Sequence, residues 1–198
     1  MQLPGSKGER QLQEELGTTR RAQAFYKQQM LDYLNASMRE FISSQKMVFL
    51  ATSDSKGECD CSFRMGPPGF VYSLDEKTLA YPEYRGNGVL ASLGNIRENP
   101  HIGMIFIDFF ENTIGLHVNG KAEVIKNEDI LQKDNLTKEI LHNIQKADEQ
   151  KPECWVMIHV DEAYIHCSKH IPLLKDMNKE VHWGTDKKIH KGGNFFKI

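Results

Sequence analysis

Cysteine is scarce in this chain, with four residues among 198, at positions 59, 61, 154 and 167. Domains that depend on disulfides are short and rich in cysteine, so the sequence does not favour a disulfide scaffold. Cys59 and Cys61 are also too close in the chain to pair comfortably with each other. Four dispersed thiols suit a reducing compartment.

Long apolar runs and a charge excess are missing as well. No run approaches the roughly 18 apolar residues that span a bilayer, and the polar stretch 1–17 does not resemble a signal peptide. We therefore expect a cytoplasmic protein without membrane contact. The chain has 25 Lys and Arg against 27 Asp and Glu, which gives no bulk attraction to nucleic acid.

The residue pattern predicts short strands joined by tight turns, with about three helices. Such a pattern favours a mainly β (β+α) fold, an antiparallel barrel of about six or seven strands with flanking helices, over a doubly wound sheet. We expect an N-terminal arm at 1–18, one domain at 19–170 and a tail at 171–198. The predicted strands are 46–53, 58–64, 70–74, 78–81, 101–109, 113–124 and 154–167, and the predicted helices are 19–44, 86–99 and 127–147.

The predicted strand 58–64 separates two kinds of side chain, because neighbouring residues of a strand face opposite sides. Cys59, Cys61 and Phe63 share a small, apolar face that suits a core. The opposite face carries a carboxylate, a hydroxyl and a guanidinium, from Asp60, Ser62 and Arg64. A serine beside an arginine can hold a phosphate, since the arginine offers a forked, charged donor.

A metal site is the alternative use of the cysteines. It needs four ligands, and Cys59 and Cys61 would have to be joined by Cys154, Cys167 or His166. The C-x-C spacing is weaker than C-x₂-C, and free cysteine is among the most buried residue types. We therefore predict buried, structural cysteines and no metal.

A second candidate for anion binding lies at residues 84–92. Tyr84-Arg85-Gly86-Asn87 leads into a helix predicted to begin near Asn87, and a helix N-terminus offers free N–H groups. Arg85, Asn87 and Ser92 would add donors. The alternative is an ordinary asparagine N-cap beside a solvated arginine. The nearby prediction for Ser62 and Arg64 favours the anion site.

These motifs resemble a known family. The stretches "CDCSFRMGPPGFV", "TLAYPEYRGNGVLASLGNIRENPHIGMIF", "LHVNGKAEV" and "AYIHCSKH" are similar to the flavin-binding relatives of pyridoxamine 5′-phosphate oxidase, and above all to their flavin-nucleotide-binding branch. The resemblance extends from about Arg20 to His170. It implies a split β-barrel that forms a homodimer with FMN at the interface.

The resemblance also implies which residues hold the flavin. Arg64 and Ser62, with the residues around the "RGN" segment, would hold the phosphate and ribityl chain, and backbone of four further residues would border the ring. The residues around "RGN" that would hold the phosphate and ribityl chain are Arg85, Asn87, Ser92 and Asn95. The residues whose backbone would border the ring are Met65, Gly66, Tyr81 and Pro82. Pyridoxamine phosphate oxidation is not implied, because that enzyme's C-terminal arginine motif is missing and Arg97 is the last arginine of the chain.

The sequence therefore predicts an FMN-binding protein, as a flavin-dependent oxidoreductase of unknown substrate, with reduced nicotinamide as electron donor. A non-catalytic flavin-binding, sensor or stress protein is the alternative, and a zinc- or haem-binding barrel is a third. No general acid or base is evident. His117 and Cys167 stay without an assigned role, and Trp183, Phe195 and Phe196 of the tail are expected to dock on a partner subunit or cover the flavin.

Overall fold

The computed structural model describes residues 4–133, 136–145, 151–177, 179–182, 184–185, 187–190 and 195–197. Within these ranges the chain forms one antiparallel, eight-stranded sheet in the order β3-β2-β6-β7-β8-β5-β4, with β1 paired to β8. The sheet does not close on itself, which confirms the predicted split barrel. Its strands are β1 (Met30–Leu31), β2 (Met47–Ser53), β3 (Cys59–Met65), β4 (Tyr72–Ser73), β5 (Thr78–Glu83), β6 (His101–Ile107), β7 (Gly115–Ile125) and β8 (Cys154–His166).

Helices flank the sheet. They are α1 (Lys7–Glu15), α2 (Thr19–Gln29), α3 (Ala36–Ser44), α4 (Ala91–Glu98), α5 (Asn127–Ile130) and α6 (Lys138–Ile144), with short 3₁₀ helices at Ser168–His170 and Lys188–His190. In the expected arm, α1 is tied to α2 through Tyr26, whose hydroxyl accepts from Gln13 and donates to Glu9. No helix of the described ranges is long and apolar enough to cross a membrane.

The single helix predicted for 19–44 is wrong, because tertiary contacts interrupt it. Met30 and Leu31 leave the helix and pair with Tyr164 and Ala163 of β8. Asn35 then starts α3, since its side chain accepts the N–H of Met38 at 2.9 Å, as an N-cap does. The apolar spacing of 19–44 predicts one helix, whereas its residues form two helices and a short strand.

The other two predicted helices are shorter than expected. The helix of 86–99 begins at Ala91, after Leu90 in a left-handed conformation with φ 56°. The helix of 127–147 consists of α5 and α6 with a break between them, and residues 134–135 and 146–147 lie outside the described ranges.

The core fills the inner side of the sheet. Leu50, Met104, Phe106, Val118 and Ile158 are at most 1% exposed and belong to one cluster. A second cluster, between the sheet and α5 and α6, surrounds the buried indole of Trp155, whose N–H donates to Asn127. The inner side of β2 and β6 is therefore apolar, and residues of the neighbouring edge strand β3 that pair with it face the same side.

Candidate functional site

A cavity of about 790 Å³ opens between β3, the end of β5, the segment 84–93 and the C-terminal tail. This volume suits a small-molecule ligand. From the sheet its lining includes Asp60, Ser62, Arg64 and Met65 of β3 and Pro82 and Glu83 of β5. From the connecting segments and the tail it includes Phe70, Arg85, Asn87, Ser92, Asp176, Lys179, His182 and His190.

The polar face of β3 faces this cavity. Val48 and Leu50, on the core side of β2, pair with Arg64 and Ser62, so these side chains continue the inner side of the sheet. The predicted alternation along β3 is confirmed. The prediction that the cysteine face is the core side is wrong, because the β2 register places the polar face inward.

Two serine hydroxyls meet at one carboxylate in this cavity. Ser62 and the buried Ser92 both donate to Oδ2 of Asp60 at 2.8 Å, and their own oxygens are 2.8 Å apart. Ser92 is brought there by the first turn of α4, which packs against β2 and β3. The structure thus unites the serines of both predicted anion-binding segments around one negatively charged oxygen.

Arg64 is held by a carboxylate as well. Its Nε donates to Oε2 of Glu83 at 3.0 Å, and its Nη1 donates to the backbone carbonyl of Phe63. The side chains of this ion pair are 24% and 12% exposed. Burial raises the pKa of Glu83, and the charge of Arg64 opposes that rise. Glu83 is therefore a titratable carboxyl group in the cavity wall, where the sequence had shown no candidate acid or base.

The segment before α4 differs from the prediction. Asn87 does not begin the helix, because its side chain accepts the N–H of Val89 in a turn that precedes Leu90. Asn87 and Arg85 nevertheless both line the cavity. Arg85 lies 3.7 Å from Glu153, with both side chains about half exposed.

The remaining predicted residues divide into two groups. Met65 and Pro82 line the cavity, whereas Gly66, Tyr81 and Asn95 are not among its lining residues. A Cβ on Gly66 would lie 2.3 Å from Phe70, so this glycine permits the close turn that places the ring of Phe70 there. Tyr81 is fully buried, and Asn95 donates to Thr52 at 3.1 Å. Their roles toward a flavin stay predictions.

The C-terminal tail supplies part of the wall that the sequence did not indicate. Leu174 donates its N–H to Phe109, and Asp176 bonds to Lys46 at 3.1 Å across 130 positions of sequence. Neither contact follows from local sequence spacing. Phe195 and Phe196 are more than 80% exposed and contact each other, and Trp183 lies outside the described residues.

Residues 34–167 match the family described as pyridoxamine 5′-phosphate oxidase, which is more than half of the chain. The chain belongs to this family. Solved structures resemble it: HupZ of Group A Streptococcus, at 22% identity, covers 67% of this chain and 93% of its own with a TM-score of 0.50. A candidate pyridoxamine 5′-phosphate oxidase of Lactobacillus delbrueckii, at 19% identity, covers 69% and 98% with 0.48.

HutZ of Vibrio cholerae, described as a heme storage protein, is 17% identical, covers 67% of this chain and 94% of its own, and has a TM-score of 0.42. At 22% identity, the likeness to HupZ shows a similar fold and no more. The comparison with curated proteins gave no match.

In this member of the oxidase family the cysteines are not a buried structural set. Cys59, Cys61 and Cys167 are exposed and Cys154 is half-buried, so the prediction of burial is wrong. Cys59 and Cys61 are exposed because they lie on the outer face of β3, opposite the face that lines the cavity. In the described part of the chain, no three His, Cys, Asp or Glu are grouped as a metal would require.

His117 lies on the outer face of the sheet, away from the cavity lining. Its Nε2 is 2.9 Å from Nδ1 of His166, and its ring stacks on Tyr164 at a centroid distance of 4.7 Å. Burial, with the neighbouring His166, lowers the pKa of His117. A shallower groove of about 450 Å³ on this face is lined by Cys59, His101, Asn119 and Glu162, among others. These contacts do not indicate a role for Cys167.

Proposed function

We propose that the protein binds FMN in the 790 Å³ cavity and acts as a flavin-dependent oxidoreductase. The observation that carries the proposal is the convergence of Arg64, Ser62 and Ser92 on one cavity from two separate segments. A guanidinium with two hydroxyls is a donor set that suits a phosphate monoester. The family membership supports the same reading, since the sequence resembles the flavin-binding relatives.

The residues present fit the phosphate of such a cofactor. The two serine hydroxyls already hold one anionic oxygen, that of Asp60, with three oxygens mutually 2.8 Å apart. Arg64 and Arg85 supply positive charge in the same wall. Asn87 adds a neutral amide close to Arg85. These side chains would bind the phosphate and ribityl end of FMN.

The rest of the wall is apolar or covered by the tail. Met65, Phe70 and Pro82 offer an apolar surface beside the polar end. Val181 and His182 of the tail border the same space and would exclude water from it. The bound flavin supplies the hydride and electron chemistry, while the chain binds and orients it. Reduced nicotinamide is the electron donor that we propose, and the cytoplasm is the compartment.

We also propose that two copies of the chain pair through the outer face of β2 and β3. Phe63 is 48% exposed and its ring packs at a tilt against that of Phe49, with the ring centroids 5.3 Å apart. Ala51 and Cys61 are exposed beside them. Phe63 also borders the cavity. A partner seated on this face would therefore lie next to the cavity, as a flavin held between two subunits requires.

The test is an absorption spectrum of the purified protein, followed by mass identification of the released cofactor. Binding of FMN is expected, either as a flavin spectrum of the isolated protein or as saturable binding of added FMN. A Soret band with released haem would assign the cavity or the outer face to haem. A colourless protein that refuses added FMN would contradict the proposal.

Catalysis is tested separately from binding. An oxidoreductase should reduce bound FMN with NADH or NADPH much faster than free FMN is reduced, which anaerobic stopped-flow absorbance measures. Equal rates for bound and free FMN would favour the non-catalytic alternative, a flavin-binding sensor or stress protein.

A further inference from the structure

Each serine and arginine expected to hold the phosphate is already paired with a carboxylate of the same chain. The pairs are Ser62 and Ser92 with Asp60, Arg64 with Glu83, and Arg85 with Glu153. A phosphate dianion cannot join such groups without an adjustment, because like charges in a partly buried site repel strongly. Binding must therefore move or neutralise at least one of these carboxylates.

Glu83 is the carboxylate with the strongest constraints. Its side chain is 12% exposed, it lines the cavity, and its ion pair with Arg64 is 3.0 Å long. Asp60, by contrast, is held by neutral hydroxyls, and the pair of Arg85 with Glu153 is longer and about half exposed. Water screens such an exposed pair, whereas it screens Glu83 poorly.

Among the described residues, Arg64 is the cation that bonds to Glu83, and Glu153 is a negative charge that acts on it. Tyr81 lies on the same side of β5, two residues earlier, and Cys154 is the paired residue on β8, next to Glu153. The charge of Glu83 raises the pKa of both Tyr81 and Cys154 after burial, and Glu153 raises that of Glu83. Lys179 and Asp176 of the tail line the same cavity. Removal of Arg64 would thus leave a mostly buried carboxylate beside Tyr81, Cys154 and Glu153, with Arg85 and Lys179 as cations in the lining of the same cavity.

We propose that Glu83 and the cofactor's phosphate exchange Arg64: Glu83 holds the guanidinium in the free protein, and it takes up a proton when the phosphate replaces it. The inference rests on the proposed binding of FMN. The proton comes from the buffer acid and forms the O–H bond of the Glu83 carboxyl group. The bond between that proton and the buffer acid breaks, the buffer is left as its conjugate base, and no covalent bond of FMN changes.

Tyr81 supports this exchange. Its hydroxyl is buried and has no hydrogen-bond partner within the described residues. A buried polar group without a partner asks for an explanation, because such groups are rare in folded proteins. Tyr81 and Glu83 are two residues apart on β5, so their side chains lie on the same side of the sheet. Tyr81 therefore offers a partner for the carboxyl group that leaves Arg64.

The experiment counts protons by titration calorimetry. FMN is titrated into the full-length protein at about pH 7.5, above the phosphate pKa of about 6, in buffers with different ionisation enthalpies. The variants are wild type, Glu83→Gln, and Glu162→Gln as control, since Glu162 is a half-buried carboxylate that accepts from Asn119 away from the cavity. Riboflavin, which lacks the phosphate, is titrated in parallel.

On binding FMN, the wild type and the Glu162→Gln control are expected to take up more protons per FMN than Glu83→Gln. Glu83→Gln should also bind FMN on the order of tenfold more tightly, the effect of removing one like-charge interaction worth about one pKa unit. Riboflavin should show neither effect. The difference between the variants cancels any titration of the phosphate itself.

Equal proton uptake in wild type and Glu83→Gln, with FMN bound by both, would overturn the exchange and leave the proposed function intact. Absence of FMN and riboflavin binding in wild type would overturn both. If Glu83→Gln fails to fold by circular dichroism, Tyr81→Phe replaces it. We expect that variant to weaken FMN relative to riboflavin, and an unchanged ratio would count against the exchange.

Discussion

The two faces of β3 meet opposite surroundings. Asp60, Ser62 and Arg64 point to the inner side of the sheet and line the cavity, where each is hydrogen-bonded or ion-paired. Cys61 and Phe63 point outward and are exposed. A polar face toward the core and an apolar face toward solvent is the reverse of an ordinary half-buried strand. This inversion is the basis of the proposal that one face binds a small ligand and the other a second subunit.

The largest expected effect concerns the outer face. Phe63→Asp should dissociate the proposed dimer, because a charge replaces an exposed aromatic ring on the outer face of β2 and β3, and hot-spot losses of about 2 kcal/mol or more are typical of interfaces. Sedimentation velocity over a concentration series measures this. Leu131→Asp is the matched control, since Leu131 is 49% exposed and lies outside the patch. A wild type that is monomeric, or a Phe63→Asp protein that stays dimeric, would contradict the proposal that two copies pair through the outer face of β2 and β3.

The second-largest effect is expected for the guanidinium of Arg64, on the inner face of β3. Arg64→Ala should weaken FMN binding by about 1.5–3 kcal/mol, the loss expected for one charged hydrogen-bonded contact. Riboflavin should lose little, because it lacks the phosphate. Fluorescence quenching titrations of both flavins measure the difference, with Arg97→Ala as the control for an exposed arginine outside the cavity lining. Unchanged FMN affinity would show that Arg64 does not hold the phosphate.

A smaller effect is expected from the neutral hydroxyl of the same face. Ser62→Ala should weaken FMN binding by about 0.5–1.5 kcal/mol, the usual net value of a neutral hydrogen bond. The removed hydroxyl also leaves Ser92 as the one serine bonded to Asp60. The same titration measures it, and a loss as large as that of Arg64→Ala would point to a rearranged Asp60 rather than to a lost phosphate contact.

The smallest effect on FMN binding is expected for Cys61, which precedes Ser62 on β3 and faces the opposite side. Cys61→Ala should leave FMN affinity unchanged, since Cys61 is exposed and is not among the cavity-lining residues. Adjacent positions on one strand thus provide their own control. Loss of flavin from a folded Cys61→Ala protein would give the cysteine a direct part in the site.

Much of the sheet was predictable from local patterns. The turn at 54–57 followed from its residues, because the Asp54 carboxylate accepts the N–H groups of Lys56 and Glu58. The strands 47–53 and 59–65 that this turn joins are paired as expected. The interruption at Met30–Leu31 was not predictable, since a two-residue strand leaves no period in the sequence and exists through its contact with β8.

The candidate site was predictable in part. Ser62 and Ser92 belong to quoted motifs, and both line the cavity. Glu83 was overlooked because a glutamate at the end of a strand is usually solvated, and its ion pair with Arg64 joins two strands that are not neighbours in the sheet. The tail was overlooked because its contacts, such as Asp176 with Lys46, join positions far apart in the chain.

The sequence by itself determined the alternation along β3, the turns, the family and the types of donor available, because these depend on neighbours in the chain. Tertiary structure alone decided which face of β3 is inward, since β2 sets that register across the sheet. It also decided that carboxylates accompany the donors, because Asp60, Glu83 and Glu153 reach them from different segments. Local spacing carries no information about such distances, whereas charge and burial act through space.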